Sequence, residues 1–506
     1  MKAPSEEKPS EEQAVARSFR ARLWLWVKRL AVSLVLLFLV LSGLLQVPAV
    51  QNYLADRLTT ALSEATKTTV SIERLNISFL DQLVLENFYV EDLTPGDTAV
   101  FSRYLYADFS LNPLVYLKRG IVIEDLALDS ATINIRKAAD DDYNNMQVLL
   151  GRLFPPDTAT TTSQKRPFYL DVEGLTLSKV RFLKEDQARG QSLDIYLADG
   201  SAVFDEFSLP DRTLHAESVI LEGPYVRIDE YEYIEWAGGA PAPDTAAAEP
   251  ALPFFATIGE FILKDGKFSL HNWRNDPDNA GPVNELNYQH MDVFDINIGI
   301  DEFSFCSDSL DFSGQVKEFK LRDLSGFVLE DLTVEQGRVW NRGLELYDLQ
   351  LKTPNSDIRD TLIFHYDTYE AFKSFPDEVE MQIHLNNAAV TLRDIMTFAP
   401  KLKSNAFFWD NRDRKLYLDG RVEGTVNDLD AEDMFIALEN RRLVARGDLR
   451  TRDLTYPDFR TINLQLDELR TNMTALRQLF PKFRPPEAFD RLGWLDFSGR
   501  VDVLFC

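Results

Sequence analysis

Two cysteines in 506 residues, Cys306 and Cys506, are too few for a disulfide framework or a thiolate metal cluster. Histidine is nearly as scarce: His215, His271, His290, His365 and His384 stand far apart in the chain, with no paired spacing and no HExxH pattern. Basic residues are outnumbered, 54 Lys and Arg against 81 Asp and Glu, for a formal charge of −27. That deficit argues against a nucleic-acid surface, which needs clustered Lys and Arg to meet phosphates. Net acidity has a plainer consequence, which is to keep a large body soluble. The phosphate- and nucleophile-positioning motifs GxSxG, GxxxxGK and GxGxxG do not occur where they would matter. Asp140, Asp141 and Asp142 lack EF-hand spacing and read as a solvated loop. The chain is therefore read as non-enzymatic, with no catalytic residues, no metal and no cofactor.

Long apolar runs are also few, and one stands out. Residues 30–47 read LAVSLVLLFLVLSGLLQV, and no charge occurs from Leu30 to Ala55. Eighteen such residues rise about 27 Å as a helix, close to the thickness of a bilayer's hydrocarbon. Trp24 and Trp26 precede the run at the level where indole rings prefer the interface, and Leu30, Leu37 and Val47 mark its length. A cleaved signal peptide would have a shorter apolar core and a small-x-small site, so an uncleaved single-pass anchor is expected. Arg17, Arg20, Arg22, Lys28 and Arg29 lie before the run with no acidic residue among them, whereas only Arg57 and Lys67 follow it before residue 70. The positive-inside rule then predicts a cytoplasmic N-terminus and a body on the far side. After Pro48, the apolar residues Val50, Leu54, Leu58, Ala61 and Leu62 recur at helical spacing, which predicts an amphipathic helix that caps the first sheet.

From Val70 onward, period-two alternation dominates, as in Ile296, Ile298 and Ile300, or Met381, Ile383 and Leu385. Such alternation predicts antiparallel strands with one apolar face. The expected organisation is a disordered cytoplasmic tail (1–22), an anchor (23–47), the amphipathic helix (48–66) and a first β segment (67–154). A linker (155–166), a second β segment (167–236), a Pro/Ala-rich linker (237–252) and a third β segment with repeats (253–506) follow. About 30 strands at about 4.8 Å would span on the order of 140 Å if they formed one sheet.

Two internal repeats organise the body. An apolar-x-x-apolar-x-apolar pattern returns as IEDLAL (123–128), VEGLTL (172–177), IGEFIL (258–263), VKEFKL (316–321) and LEDLTV (329–334). The pairs Leu126 and Leu128, Leu175 and Leu177, and Phe261 and Leu263 each share a strand face, and all six are expected to line the interior. The longer repeat aligns LRDIMTFAPKL (392–402) with MTALRQLFPKF (473–483), each a short helix stopped by proline and followed by a strand. The second copy has only DVLFC after its Gly-Arg-Val, so the chain is expected to stop inside a repeat, as a fragment of a longer protein.

These features together resemble the AsmA-like superfamily, and more closely its TamB-like (translocation and assembly module) members from Gram-negative bacteria of Bacteroidetes type. The resemblance is carried by the span ending in Pro48-Ala49-Val50-Gln51, the amphipathic helix, and TTVSIERLNISFLDQLVLENFYVED (68–92). DDYNNMQVLLGRLF (141–154) leading to Pro167-Phe168, and the Asp394–Pro400 helix, extend it. The family's characteristic C-terminal domain is missing here. The resemblance implies a mainly β fold: an inner-membrane helix followed by an elongated, curled antiparallel sheet, an open β-groove, with a few short helices. It also implies phospholipid ligands, transport between inner and outer membranes or outer-membrane biogenesis, and a bulk in the periplasm. The alternative within the same fold is a scaffold that assists assembly or secretion of outer-membrane proteins and pairs its edge strands with a β-barrel partner. The orientation has a direct test. A reporter active only outside the cytoplasm is expected to work when fused after Val70 and to stay silent after Val15; the opposite pattern would reverse it.

Overall fold

The computed structural model describes residues 11–78, 81–111, 121–153, 170–208, 212–232, 253–279, 286–368, 374–398, 400–439, 441–456, 460–480 and 485–504, together with Ala371. Two helices open the chain, α1 (Glu11–Leu45) and α2 (Pro48–Thr66). Helix α1 starts inside the stretch expected to be a disordered tail. Its first turns, EEQAVARSFRAR, are rich in Glu, Gln, Ala and Arg, all strong helix formers, so the span's helix propagates back through them. Helix α2 matches its expected bounds; Pro48 occupies its first turn, and Lys67 in the left-handed region ends it.

Strands follow almost without interruption. They are β1 (Val70–Ser71), β2 (Arg74–Ser78), β3 (Gln82–Glu91), β4 (Thr98–Phe109), β5 (Ile121–Lys137), β6 (Leu170–Val172), β7 (Gly174–Asp186) and β8 (Gln191–Ser208). Next come β9 (Thr213–Glu222), β10 (Tyr225–Glu230), β11 (Phe255–Asn272), β12 (His290–Cys306), β13 (Asp311–Asp323), β14 (Val328–Leu329), β15 (Asp331–Trp340) and β16 (Gly343–Lys352). The last are β17 (Asp357–His365), β18 (Glu380–Thr391), β19 (Lys415–Gly424), β20 (Leu429–Leu438), β21 (Val444–Arg452), β22 (Thr461–Asn472) and β23 (Trp494–Leu504). Short helices sit at strand ends: α3 (Asn145–Leu153), α4 (Phe375–Glu378), α5 (Leu392–Phe398), α6 (Ala406–Asp410) and α7 (Met473–Leu479). All 23 strands among the described residues belong to one sheet, so the three expected β segments are continuous with one another.

The sheet is not purely antiparallel. Strand β5 pairs in parallel with β6 and β7, and β11 pairs in parallel with β9 and β10. A hairpin needs only a tight turn, but a parallel pair needs a crossover of a dozen residues or more. Both long connections, from Lys137 to Leu170 and from Glu230 to Phe255, supply one. The expected linkers at 155–166 and 237–252 lie within those connections, outside the described residues.

The recurring apolar-x-x-apolar-x-apolar pattern has a backbone cause. In an unbroken strand, positions i and i+3 face opposite sides of the sheet. At Glu124 the β4–β5 ladder slips by one residue, from Asp108↔Asp125 to Phe109↔Ile123. Glu173 interrupts the chain between β6 and β7, and Glu330 does so between β14 and β15. Lys317 is the extra residue between Gly299↔Glu318 and Ile300↔Val316. Gly259 lies abreast of Glu217, the extra residue of β9, and a Cβ on it would come 2.7 Å from the Glu217 carbonyl oxygen. Each slip is a β-bulge, and each returns all three apolar residues of its motif to one face.

A second line of irregular residues crosses the sheet. Asn87, Ser130, Lys179, Asp265, Asp295, Asp348, Asn387 and Asp433 sit mid-strand with φ between 51° and 55°. Asn and Asp tolerate this left-handed region better than other side-chain-bearing residues. Neighbouring strands serve the displaced N–H groups: Asp265 N donates to Asn297 Oδ1 at 3.2 Å, Asp433 N to Asp448 Oδ1 at 2.9 Å, and Asn387 N to Asp419 Oδ1. Gly420, at φ 130°, holds the same level, where a Cβ would lie 2.6 Å from Met434 Sδ.

The bulges generate a prediction. Lys317 is exposed, so Lys317→Ala should change stability by no more than about 0.5 kcal/mol. Deleting Lys317 removes the extra residue and forces one half of β13 to present the wrong face, so the deletion should lower the melting temperature far more than the substitution. Equal melting of the two proteins in detergent would mean that the bulge does not set the register.

Candidate functional site

Because the bulges keep the strands in phase, register pairing strings apolar residues into rows. One row runs Leu83, Ala107, Leu126, Leu175, Ala202, Val219, Phe261, Ile300, Val316 and Val334 from β3 to β15. The next runs Leu85, Leu105, Leu128, Leu177, Gly200, Leu221, Leu263, Ile298 and Phe319. From Gly337 the same face continues through Leu346, Leu362, Ile383, Val422, Ala431, Leu449 and Leu464 to Val501 in β23. All six residues singled out in the sequence lie in these rows. Leu126 and Leu175 are direct partners, as are Leu128 and Leu177, while Phe261 and Leu263 sit further along the same two lines.

Burial along the rows is incomplete: Leu85, Ala107, Ala202, Val334 and Ala431 are buried, but most of the larger side chains are not. All six of these side chains are only partly buried, and so are Ile298, Ile300, Phe319, Leu346, Leu362, Ile383, Val422, Leu449 and Leu464. Facing sheets of a β-sandwich would bury alternate residues completely. Among the described residues, buried side chains gather in small clusters. The first is made by α2: Ala55 and Leu54 pack with Ile72, Leu75 and Leu85, with Leu83 and Leu105 of the rows alongside. Helix α2 thus covers the apolar face at the end nearest α1, and Arg152 Nη1 of α3 donates to its terminal carbonyl at Thr66 at 2.7 Å.

The opposite face is charged and paired. Arg181 meets Asp194 through two hydrogen bonds at 3.0 and 2.7 Å, Arg338 meets Asp311 at 3.1 and 2.7 Å, and Arg450 meets Asp430 at 2.6 Å. Most such pairs are solvent-exposed and contribute little each, but they keep this side of the sheet hydrated.

Helix α1 is bare. Trp24, Trp26, Leu30, Leu37 and Val47 are all exposed, and the Lys28 ammonium lies 3.6 Å from the centre of the Trp24 ring. Residues Lys28–Leu45 are long and apolar enough to cross a membrane.

The structure brings two of the histidines together. His271 and His290, far apart in the chain, face each other across β11 and β12 with ring centres 5.6 Å apart, and Trp273 packs 4.6 Å from His290. His271 Nδ1 lies 3.3 Å from Asp229, and Trp273 Nε1 donates to the same carboxylate at 3.1 Å. Burial pushes the Asp229 carboxyl up, but hydrogen bonds from Arg227 and Trp273 outweigh it and hold it below the usual carboxylate range. This knot ties the ends of β10, β11 and β12 together. The parallel return of β11 beside β10 creates it, and no spacing in the sequence announces it. His215 and His365 bond to Thr257 and Glu345, and Asp140, Asp141 and Asp142 are exposed. Among the described residues, no group of three or more His, Cys, Asp and Glu side chains is arranged to hold a metal ion.

No family model, curated protein or solved structure matches this chain.

The exposure of the rows sets a measurable contrast. Leu75, 4% exposed beneath α2, should cost about 2–5 kcal/mol as Leu75→Ala, whereas the partly exposed Leu177 should cost only about 1 kcal/mol as Leu177→Ala. Equal losses in chemical denaturation would mean that a second layer covers Leu177.

Proposed function

We propose that the chain is a membrane-anchored lipid carrier of the AsmA-like, TamB-like kind. In this reading the sheet curls into an open groove whose apolar rows hold acyl chains. The observation that carries the reading is the pair of in-phase rows, apolar over most of the sheet and left partly uncovered. Acyl chains would complete the burial that a second sheet provides elsewhere, while headgroups stay in water and need no pocket for each lipid. The two lines of bulges favour the curl, because a bulge bends its strand and raises the local twist, and aligned bulges add up. From β2 to β23 the main path takes 18 ladder steps, which at about 4.8 Å each gives on the order of 90 Å of groove. Helix α1 would hold the chain in the inner membrane with its N-terminus in the cytoplasm, and the sheet would stand in the periplasm.

Lipids co-purifying with the detergent-extracted full chain, identified by mass spectrometry, test this reading. Phospholipid should accompany the wild-type protein in excess of what the single span retains. Leu177→Asp combined with Leu263→Asp should strip most of that excess, since both carboxylates interrupt one row. Lipid content that is no higher than for α1 alone, or that is unchanged in the double variant, would overturn the proposal.

A further inference from the structure

The repeated helical insert plays no part in the apolar rows. Its two copies lie at the same end of the strands: one leaves β18, forms α5 and α6 and returns as β19, and the other leaves β22, forms α7 and returns as β23. The turn between β20 and β21 lies between them, with Glu439 N bonded to Lys415 O at 3.0 Å. The copies are fastened to one another. Asn411, 1% exposed, donates from Nδ2 to Leu479 O at 2.9 Å, and Arg414 Nη2 donates to Gln478 O at 3.1 Å. The rings of Phe407 and Phe480 stack at 5.5 Å.

Each insert has an inner and an outer side. Leu392, Met396, Ala475 and Leu479 are buried. Phe407, Trp409, Phe480, Phe489, Leu492 and Trp494 are exposed, which places six large apolar side chains along one margin. Guanidinium groups accompany the indoles: Arg412 lies 4.8 Å from the Trp409 ring centre and Arg470 lies 4.9 Å from that of Trp494. The charge balance also reverses here. Among the residues of 392–414, 438–443 and 473–493 whose side chains are described, eight Lys and Arg stand against four Asp and Glu, in a chain that holds 54 against 81.

We propose that this margin docks onto the surface of an anionic lipid bilayer. Indole and phenyl rings interleaved with cations match the headgroup layer, where aromatic rings settle and cations are drawn to an anionic surface. A protein partner would be better served by a contiguous dry apolar patch with its cations at the rim. The docking does not depend on the groove carrying lipid, because none of the outer residues belongs to the rows.

The test uses the full chain held through α1 in nanodiscs of phosphatidylcholine, mixed with vesicles and separated by flotation. Vesicles with a third phosphatidylglycerol should capture the nanodiscs, vesicles of phosphatidylcholine alone should not, and raised salt should release them. Trp409→Ser and Phe480→Ser should each weaken capture at least roughly fivefold. Arg441→Glu, in the exposed turn between the inserts where folding is not at stake, should do the same. Lipid retained by these variants, measured by mass spectrometry, should equal wild type, which separates a failure of docking from a failure of the groove. Absence of capture, equal capture by neutral vesicles, or capture unchanged in Arg441→Glu and in both aromatic variants would overturn the proposal.

Discussion

A β-strand presents its side chains to two faces in alternation, so one extra residue reverses every side chain beyond it. In a sheet of many strands, that constraint accumulates. An apolar face survives from β3 to β23 because each bulge meets a compensating irregularity on its neighbour: Glu124 beside Glu173, and Glu217 beside Gly259. The parallel offset between β5 and β6–β7 stays constant across the bulge, which requires both strands to slip together. The two motif copies IEDLAL and VEGLTL are similar because they lie side by side and must bend alike.

The same constraint explains where the long connections fall. Parallel pairing of like motifs puts Leu126 against Leu175 without inverting the order of apolar and bulged positions, which an antiparallel pair would do. The chain must then travel back across the sheet before each such pair forms. The two crossovers lead to Leu170 and Phe255, and β6–β7 and β11 begin at once in register with β5 and β9. Beyond β11 every pairing among the described residues is antiparallel.

Much of this was legible in the residues, and the reasons differ by element. The uncharged length of residues 30–47 and the proline at 48 gave α1 and α2 their places, because local propensity and burial agree there. Leu175 with Leu177 and Phe261 with Leu263 were readable as sharing a face, because period two needs no knowledge of the partner strand. The step from Ile123 to Leu126 was not readable as a bulge, since an odd spacing has meaning only against the register of β4. Asp265, Asn387 and Asp433 are mid-strand residues of types that disfavour strands, and that mismatch was the available signal for the left-handed line. The meeting of His271 with His290 had no signal, because it depends on which strand β11 returns to. The expected tail extends to residue 22, whereas the strong helix formers of residues 11–22 carry α1 back to Glu11.

The partly covered rows have an energetic consequence that bears on what the sheet is for. A leucine left partly exposed forgoes part of its burial free energy, on the order of 0.5 kcal/mol. Backbone pairing, the bulge-capping bonds of Asp448 and Asn297 and the paired charges of the far face hold the sheet without that contribution. An apolar occupant of the rows would therefore stabilise the fold as it binds, through the coupling that makes any ligand of the native state a stabiliser.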